Sequence, residues 1–151
     1  MAIKRQEIID NLRTQLENIS TANGYYTDCG TTVKVWDPTV FERKELPALN
    51  IMDRVDVQPF DANSTQGEVI DHELTVEIAA LCAAGVTSDS FTRQMIADIY
   101  KAIKADESLS GKAMWIEPVQ DEIGVEESGK RVGGATITIK IVYRTQKFSE
   151  S

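Results

Sequence analysis

The sequence predicts an α+β fold: a two-layer sandwich with a mostly antiparallel sheet and two helices packed on one face, in the order α-β-β-β-α-β-β. Three observations predict it. His72–Cys82 and Ala135–Arg144 alternate polar and apolar residues almost without fault. Leu74, Val76, Ile78, Ala80 and Cys82 share one phase of the first segment, and Ile137, Ile139, Ile141 and Tyr143 share one phase of the second. A period of two sends alternate side chains to opposite faces, so each segment is a strand with one buried face. Two other segments carry helical stripes: Ile9, Leu12, Leu16 and Ile19, then Phe91, Met95, Ile96, Ile99 and Ile103. Strands joined by turn signals pair antiparallel, and two one-sided helices can cover only one face of the sheet.

The elements follow in order. Ile3–Ile19 reads as a helix, with Asn23–Gly24 as its left-handed end. Thr32–Trp36 is a short strand closed by Asp37–Pro38. Leu46–Asp53 is a second strand, with Pro47 at its entry, where no ladder donor is lost. Gln58–Val69 holds Pro, Asp, Asn, Ser and Gly with few apolar residues, the composition of a long loop or hairpin tip. After the strand at His72–Cys82, Ser88 caps a helix over about Asp89–Ala105. Ala113–Val119 is a further strand, and Ile123–Val125 with Val132–Gly134 flank a turn at Glu126–Arg131 that leads into the last strand. Gly133–Gly134 suggests a bulge or bend.

At 151 residues the chain suits one domain (1–147, followed by a short tail, 148–151). A domain of that size buries roughly 70% of its unfolded surface and needs no disulfide or metal. The net charge of −8 argues against a nucleic-acid backbone as partner. Cys29 and Cys82 form no CxxC pair, and Cys82 falls on the apolar phase of its strand, which predicts a buried reduced thiol. MAIKRQEIID lacks the apolar core of a signal peptide, and Ile78–Val86 is too short to span a membrane. These features predict a soluble, acidic, intracellular protein.

The residues offer little for catalysis. The sole histidine, His72, lacks a second His four residues on, which excludes the helical zinc-protease motif. It reads as a residue at the edge of a strand. No Ser sits in a G-x-S-x-G elbow, and Gly111–Lys112 and Gly133–Gly134 lack the rest of any phosphate or dinucleotide loop. Cys29, between Asp28 and Gly30, reads as a turn residue before a reactive thiol. Glu117, Asp121, Glu122, Glu126 and Glu127 crowd together without the spacing of a calcium loop, so they read as a solvated or repulsive surface. Asp53, Asp56 and Asp61 read the same way. No cofactor, metal or catalytic residue is expected.

Interaction candidates are clearer. Phe41 beside Arg43 and Lys44, and Phe60 near Arg54, have the composition of protein–protein anchors. Trp36 is a further candidate, although for Trp36 and Trp115 a place in small clusters beneath loops is the plainer reading. Gln58–Val69, with Asp61, and Asp121–Arg131, with Glu122, Glu126, Glu127, Lys130 and Arg131, are the segments able to reach towards neighbours. The polar sheet face is the other: Glu73, Thr75 and Glu77 share it with Thr136, Thr138 and Lys140 if the two long strands pair. That face meets solvent, or lies against another subunit, or lines an opening.

One resemblance runs along nearly the whole chain. IKRQEIIDNLRTQLENI with NGYYTD, then VKVWD, ELPALNIMD, HELTVEI, TRQMIADIYKAI and GATITIKIVYRT, in that order, resemble the tail terminator (minor tail protein) family of tailed bacteriophages. The resemblance implies a sheet with helices on one side and a ring, typically of six copies. Such a ring caps the last ring of the tail tube, stops tube growth and presents a surface to the head's connector. The implied partners are the chain itself, the tail tube protein and a head–tail connector or neck protein, with no membrane, at the head-proximal end of the virion tail after assembly in the host cytoplasm. An acidic subunit also suits a conduit that DNA passes without specific binding. Two other readings are open: another neck component, such as a head-closure or tail-completion protein, and a small metal-dependent enzyme or ligand module using the acidic cluster near Asp121.

Overall fold

The structure, a computed structural model, describes residues 3–37, 46–59, 69–83, 88–127 and 131–149. Helix α1 (Lys4–Leu16) leads to strands β1 (Val33–Val35), β2 (Ala48–Val57) and β3 (Val69–Ala83), then helix α2 (Ser88–Ala105), and finally strands β4 (Trp115–Glu127) and β5 (Arg131–Gln146). The five strands form one sheet in the order β1-β2-β3-β5-β4. All neighbours pair antiparallel except β1, which runs parallel to β2. This is the expected α+β architecture in the expected order, with β3 and β5 at its centre, paired from Val69↔Gln146 to Ala83↔Val132.

Both helices lie on one face. Ile8, Leu12, Leu16 and Ile19 meet Met95, Ile99 and Leu109 over Leu49, Ile51, Leu74, Ile78 and Ile137, all fully buried. The apolar phases of β3 and β5 therefore point into this layer, because paired residues in an antiparallel ladder share a face. On α2 the innermost stripe is Met95, Ile99, Ala102 and Ile103; Phe91 and Ile96 pack only partly against it.

Several boundaries differ from the expected ones for local reasons. The helix ends at Leu16, and the Ile19 N–H then bonds the Leu16 carbonyl at 3.0 Å. That tighter turn keeps Ile19 on the buried side beyond the helix. Gly24 (φ +86°) ends a separate three-residue turn, Thr21–Asn23, and not α1. Ser88 is itself the first residue of α2. The β4–β5 ladder continues to Glu127↔Arg131, so the turn between them is shorter than Glu126–Arg131.

Gly133–Gly134 makes no bulge, since the register on both sides of β5 is unbroken there. Glycine is required by close approach: a Cβ on Gly134 would lie 2.1 Å from the Ala80 carbonyl oxygen. The bulges fall between Asp53 and Asp56 on β2 and between Pro118 and Gln120 on β4. The second accompanies a proline on an edge strand, where a missing donor costs least.

Candidate functional site and interaction surfaces

Neither helix covers the other face of the sheet, which is polar and half-exposed over much of its area, although Ala48, Asn50, Thr138 and Val142 on it are buried. Glu73, Thr75 and Glu77 share it with Thr136, Thr138 and Lys140, through Thr75↔Lys140, Glu77↔Thr138 and Ala79↔Thr136. Cross-strand ion pairs tie it together: Arg54 to Glu77 at 3.0 Å, Arg144 to Asp71 at 2.7 Å and Lys140 to Glu73 at 3.6 Å. Half-exposed pairs of this kind add little stability each, but they hold long side chains flat along the sheet. Towards the β4–β5 turn the side chains shrink. Ala79, Gly124, Gly134 and Thr136, with Leu81 and Glu122, line an open depression of about 350 Å³.

Exposed apolar residues gather in two places on the sheet. One follows edge strand β4 and the residue before it: Met114, Trp115, Val119 and Ile123, each at least 40% exposed, beside Glu117, Asp121 and Glu122. The other lies where β2 ends, β3 begins and β5 ends. It holds Val55, Val57, Val69 and Phe148, with Lys147 and the Arg144–Asp71 ion pair near by. Trp36 lies apart from both, beside the middle of β2, where its backbone N–H donates to the Ile51 carbonyl: Arg54 sits over its ring, 4.8 Å from the centroid, and its indole N–H donates to Asp53 at 2.7 Å. Trp36, just after β1, and Trp115, which opens β4, are thus surface residues, 47% and 44% exposed, and do not fill clusters beneath loops.

Asp53 is the anchor of Trp36. Burial alone would raise its carboxyl, but the Trp36 indole and the Arg5 guanidinium, 2.6 Å away, outweigh burial and hold it below its ordinary value. Of the other candidates named from sequence, Arg54 and Glu122 lie on the open face, in separate regions. Glu126, Glu127 and Arg131 fall on the paired ends of the β4–β5 ladder. Phe41, Arg43, Lys44, Phe60, Asp61 and Lys130 lie outside the described residues.

A polar network is buried on the helix side near the second region, and the sequence did not announce it. His72 stands on central strand β3, not at the edge of the sheet, with its ring stacked on Tyr143. Its Nδ1 lies 2.8 Å from Asp56 Oδ1, and its Nε2 lies 2.7 Å from the Thr145 hydroxyl. Tyr143 and Gln58 also donate to Asp56. A carboxylate only accepts, so the His72 Nδ1–H points at Asp56, and Nε2 shares a hydrogen bond with the Thr145 hydroxyl. This chain has the order of a nucleophile-activating triad. A nucleophile must also meet substrate, and Thr145 is only 5% exposed within the sandwich. The network satisfies buried polar groups, and no buried side-chain nitrogen or oxygen among the described residues lacks a partner. Asp56 is thereby corrected from a solvated surface carboxylate to the hub of an internal network.

Other chemistry-bearing groups are similarly committed. Cys29 is fully buried, which pushes its thiol up to about 11, against the helping hydrogen bond of Thr27, so it is no reactive thiolate at neutral pH. Tyr100 donates to Asp121 at 2.9 Å, and burial together with that carboxylate raises its phenol to about 12. Among the described residues no group of three or more His, Cys, Asp and Glu is placed to hold a metal ion. No helix of the described residues is long and apolar enough to cross a membrane. No protein-family model and no curated protein sequence matches the chain.

Proposed function

We propose that the chain is a structural ring subunit of a tailed bacteriophage, which caps the end of the tail tube, stops its growth and offers the tail-side surface for joining to the head. One observation supports this most: a single sheet carries exposed apolar residues at two separate places, along the acidic edge strand β4 and at the far end of β2, β3 and β5. Two different surfaces on one chain can meet head to tail, and such contacts close into rings when the rotation permits. Pro118 and the adjoining bulge break the outer edge of β4, so the contact there works through side chains rather than a continued ladder. The motif order that resembles tail terminators supplies the rest of the reading, including six copies, the tube protein and the connector as partners. The net charge of −8 fits a bore that DNA passes without adhering.

The test adds the purified chain to polymerising tail tube protein and measures tube lengths by electron microscopy, alongside the chain's own mass by light scattering. Capped tubes of restricted length, and a species near 100 kDa for six copies of a 16.8 kDa chain, are expected. Tubes of unrestricted length with firm binding to the head connector would assign the chain to head closure instead. DNA binding at physiological salt would overturn the passive-bore reading.

A further inference from the structure

We infer that Phe148 is the anchor by which one copy of this chain grips the next, inserting into the small-residue depression on the open sheet face of its neighbour while Lys147 meets Glu122 there. The inference rests on the ring reading and specifies its contact. Phe148 is 96% exposed, the most exposed large apolar residue described, and its backbone is held at φ +56°, a conformation bulky residues rarely adopt. The Ser149 N–H closes a turn onto the Gln146 carbonyl at 3.0 Å, which presents the ring beyond the end of β5. Its described companion is the Lys147 ammonium, 5.6 Å from the ring centroid.

The depression has the complementary features. Ala79, Gly124 and Gly134 leave room for a flat ring where the rest of the face is filled by longer side chains, and Glu122 supplies a carboxylate at the wall. Its volume of about 350 Å³ exceeds what one aromatic side chain requires. The chain cannot fill its own site. Gly134 and Gln146 are twelve residues apart on one continuous strand, roughly 40 Å at about 3.3 Å per residue. The occupant inferred is therefore the Phe148 end of a second copy, whose Lys147 charge complements Glu122. Because the donor end and the acceptor face differ, each copy uses both, and the contact propagates in one direction around a ring.

The experiment uses the full chain. Phe148→Ser and Gly124→Trp alter only exposed positions, a Cβ on Gly124 meets nothing within 4 Å, and wild-type circular dichroism is the control that both fold. Light scattering over a concentration series is expected to show each assembling only at concentrations at least tenfold above wild type. Lys147→Glu is expected to do the same, and Lys147→Glu combined with Glu122→Lys to restore assembly. Under oxidation, Lys147→Cys mixed with Glu122→Cys is expected to give a disulfide-linked dimer of two different chains, which neither gives alone. Wild-type assembly by Phe148→Ser and Gly124→Trp, or no cross-link in the mixture, overturns the inference. If a six-copy species persists in all these variants, the ring stands and this contact fails. If the double-cysteine chain gives an open-ended ladder, the contact stands and the closed ring fails.

Discussion

The imidazole of His72 lies flat on the ring of Tyr143, with centroids 4.4 Å apart and planes 13° from parallel, and both side chains end on the carboxylate of Asp56. The pair faces across the central ladder, at His72↔Tyr143, while Asp56 arrives from β2 just after its bulge. Three strands are thus pinned at one carboxylate. The bulge matters because it resets the phase of β2 so that Asp56 pairs with Leu74 on the buried side.

Removing that hub leaves several buried donors without an acceptor. Asp56→Ala is expected to cost about 3 kcal/mol, since each orphaned buried group carries its own desolvation cost. Tyr143→Phe removes one donor and keeps the stacked ring, so it is expected to cost about 1 kcal/mol. Urea midpoints at constant m-value measure both. Equal losses in the two variants would show that Asp56 is not the hub.

Asp98 is the other internal carboxylate. It is fully buried on α2 and accepts from the Tyr26 N–H at 2.9 Å, the Thr27 N–H at 2.8 Å and the Thr27 hydroxyl at 2.7 Å. Asp98→Ala leaves two backbone donors unpaired and is expected to cost about 3 kcal/mol or more. Asp98→Asn turns an amide N–H₂ towards donors and is expected to cost nearly as much. Hydrogen exchange at Tyr26 and Thr27 should accelerate in both variants before any global change.

The chain is expected to weaken in alkali, beginning near pH 9. Burial raises Cys29 from 9.0 to about 11, so the folded state keeps a proton that the unfolded chain loses. Stability from this group is full below pH 9 and falls as the pH rises to about 11, on the order of 2 kcal/mol in all. Burial, with the Asp56 hydrogen bond, also raises the Tyr143 phenol, which extends the decline above pH 10. Cys29→Ala should be less stable at pH 8 yet lose less between pH 9 and 11. An unchanged slope in denaturation midpoints would count against the assignment.

Two glycines on neighbouring strands should respond oppositely to alanine. At Gly134 the new Cβ would meet the Ala80 carbonyl oxygen at 2.1 Å, and because that atom is backbone, β3 and β5 must separate. A loss of about 2 kcal/mol or more is expected, as for other overpacked sites. At Gly124 nothing lies within 4 Å, and alanine should be neutral or slightly stabilising. Thermal midpoints of the two variants decide it.

How much was legible depended on whether the signal was local. The phases of Leu74 to Cys82 and Ile137 to Tyr143 reported the buried face directly, because burial alternates with the backbone pleat. The stripe from Ile9 to Ile19 was legible as apolar spacing but not as helix length, since a tight turn after Leu16 keeps the same side inward. Gly134 announced its glycine but not its reason, which is a carbonyl some fifty residues away in sequence. Among site residues, Trp36 and Arg54 stood out by composition, and the structure joins them in a cation–π contact. Met114, Val119, Ile123 and Phe148 did not stand out, because isolated apolar residues in a sequence say nothing about exposure.

The sequence by itself determined the class of fold, the element order and the buried face of each long strand. All three follow from periodicity, which a chain carries without knowing its partners. Tertiary structure alone decided the strand order β1-β2-β3-β5-β4, the parallel entry of β1 and the gathering of Asp56, His72, Tyr143 and Thr145. It also decided which apolar side chains remain outside, along β4 and at the far end of β2, β3 and β5. These depend on contacts between residues far apart along the chain, and a sheet can bury the same phases in several strand orders. Only packing the two helices over one face selects among them and leaves the other face free to meet a neighbour.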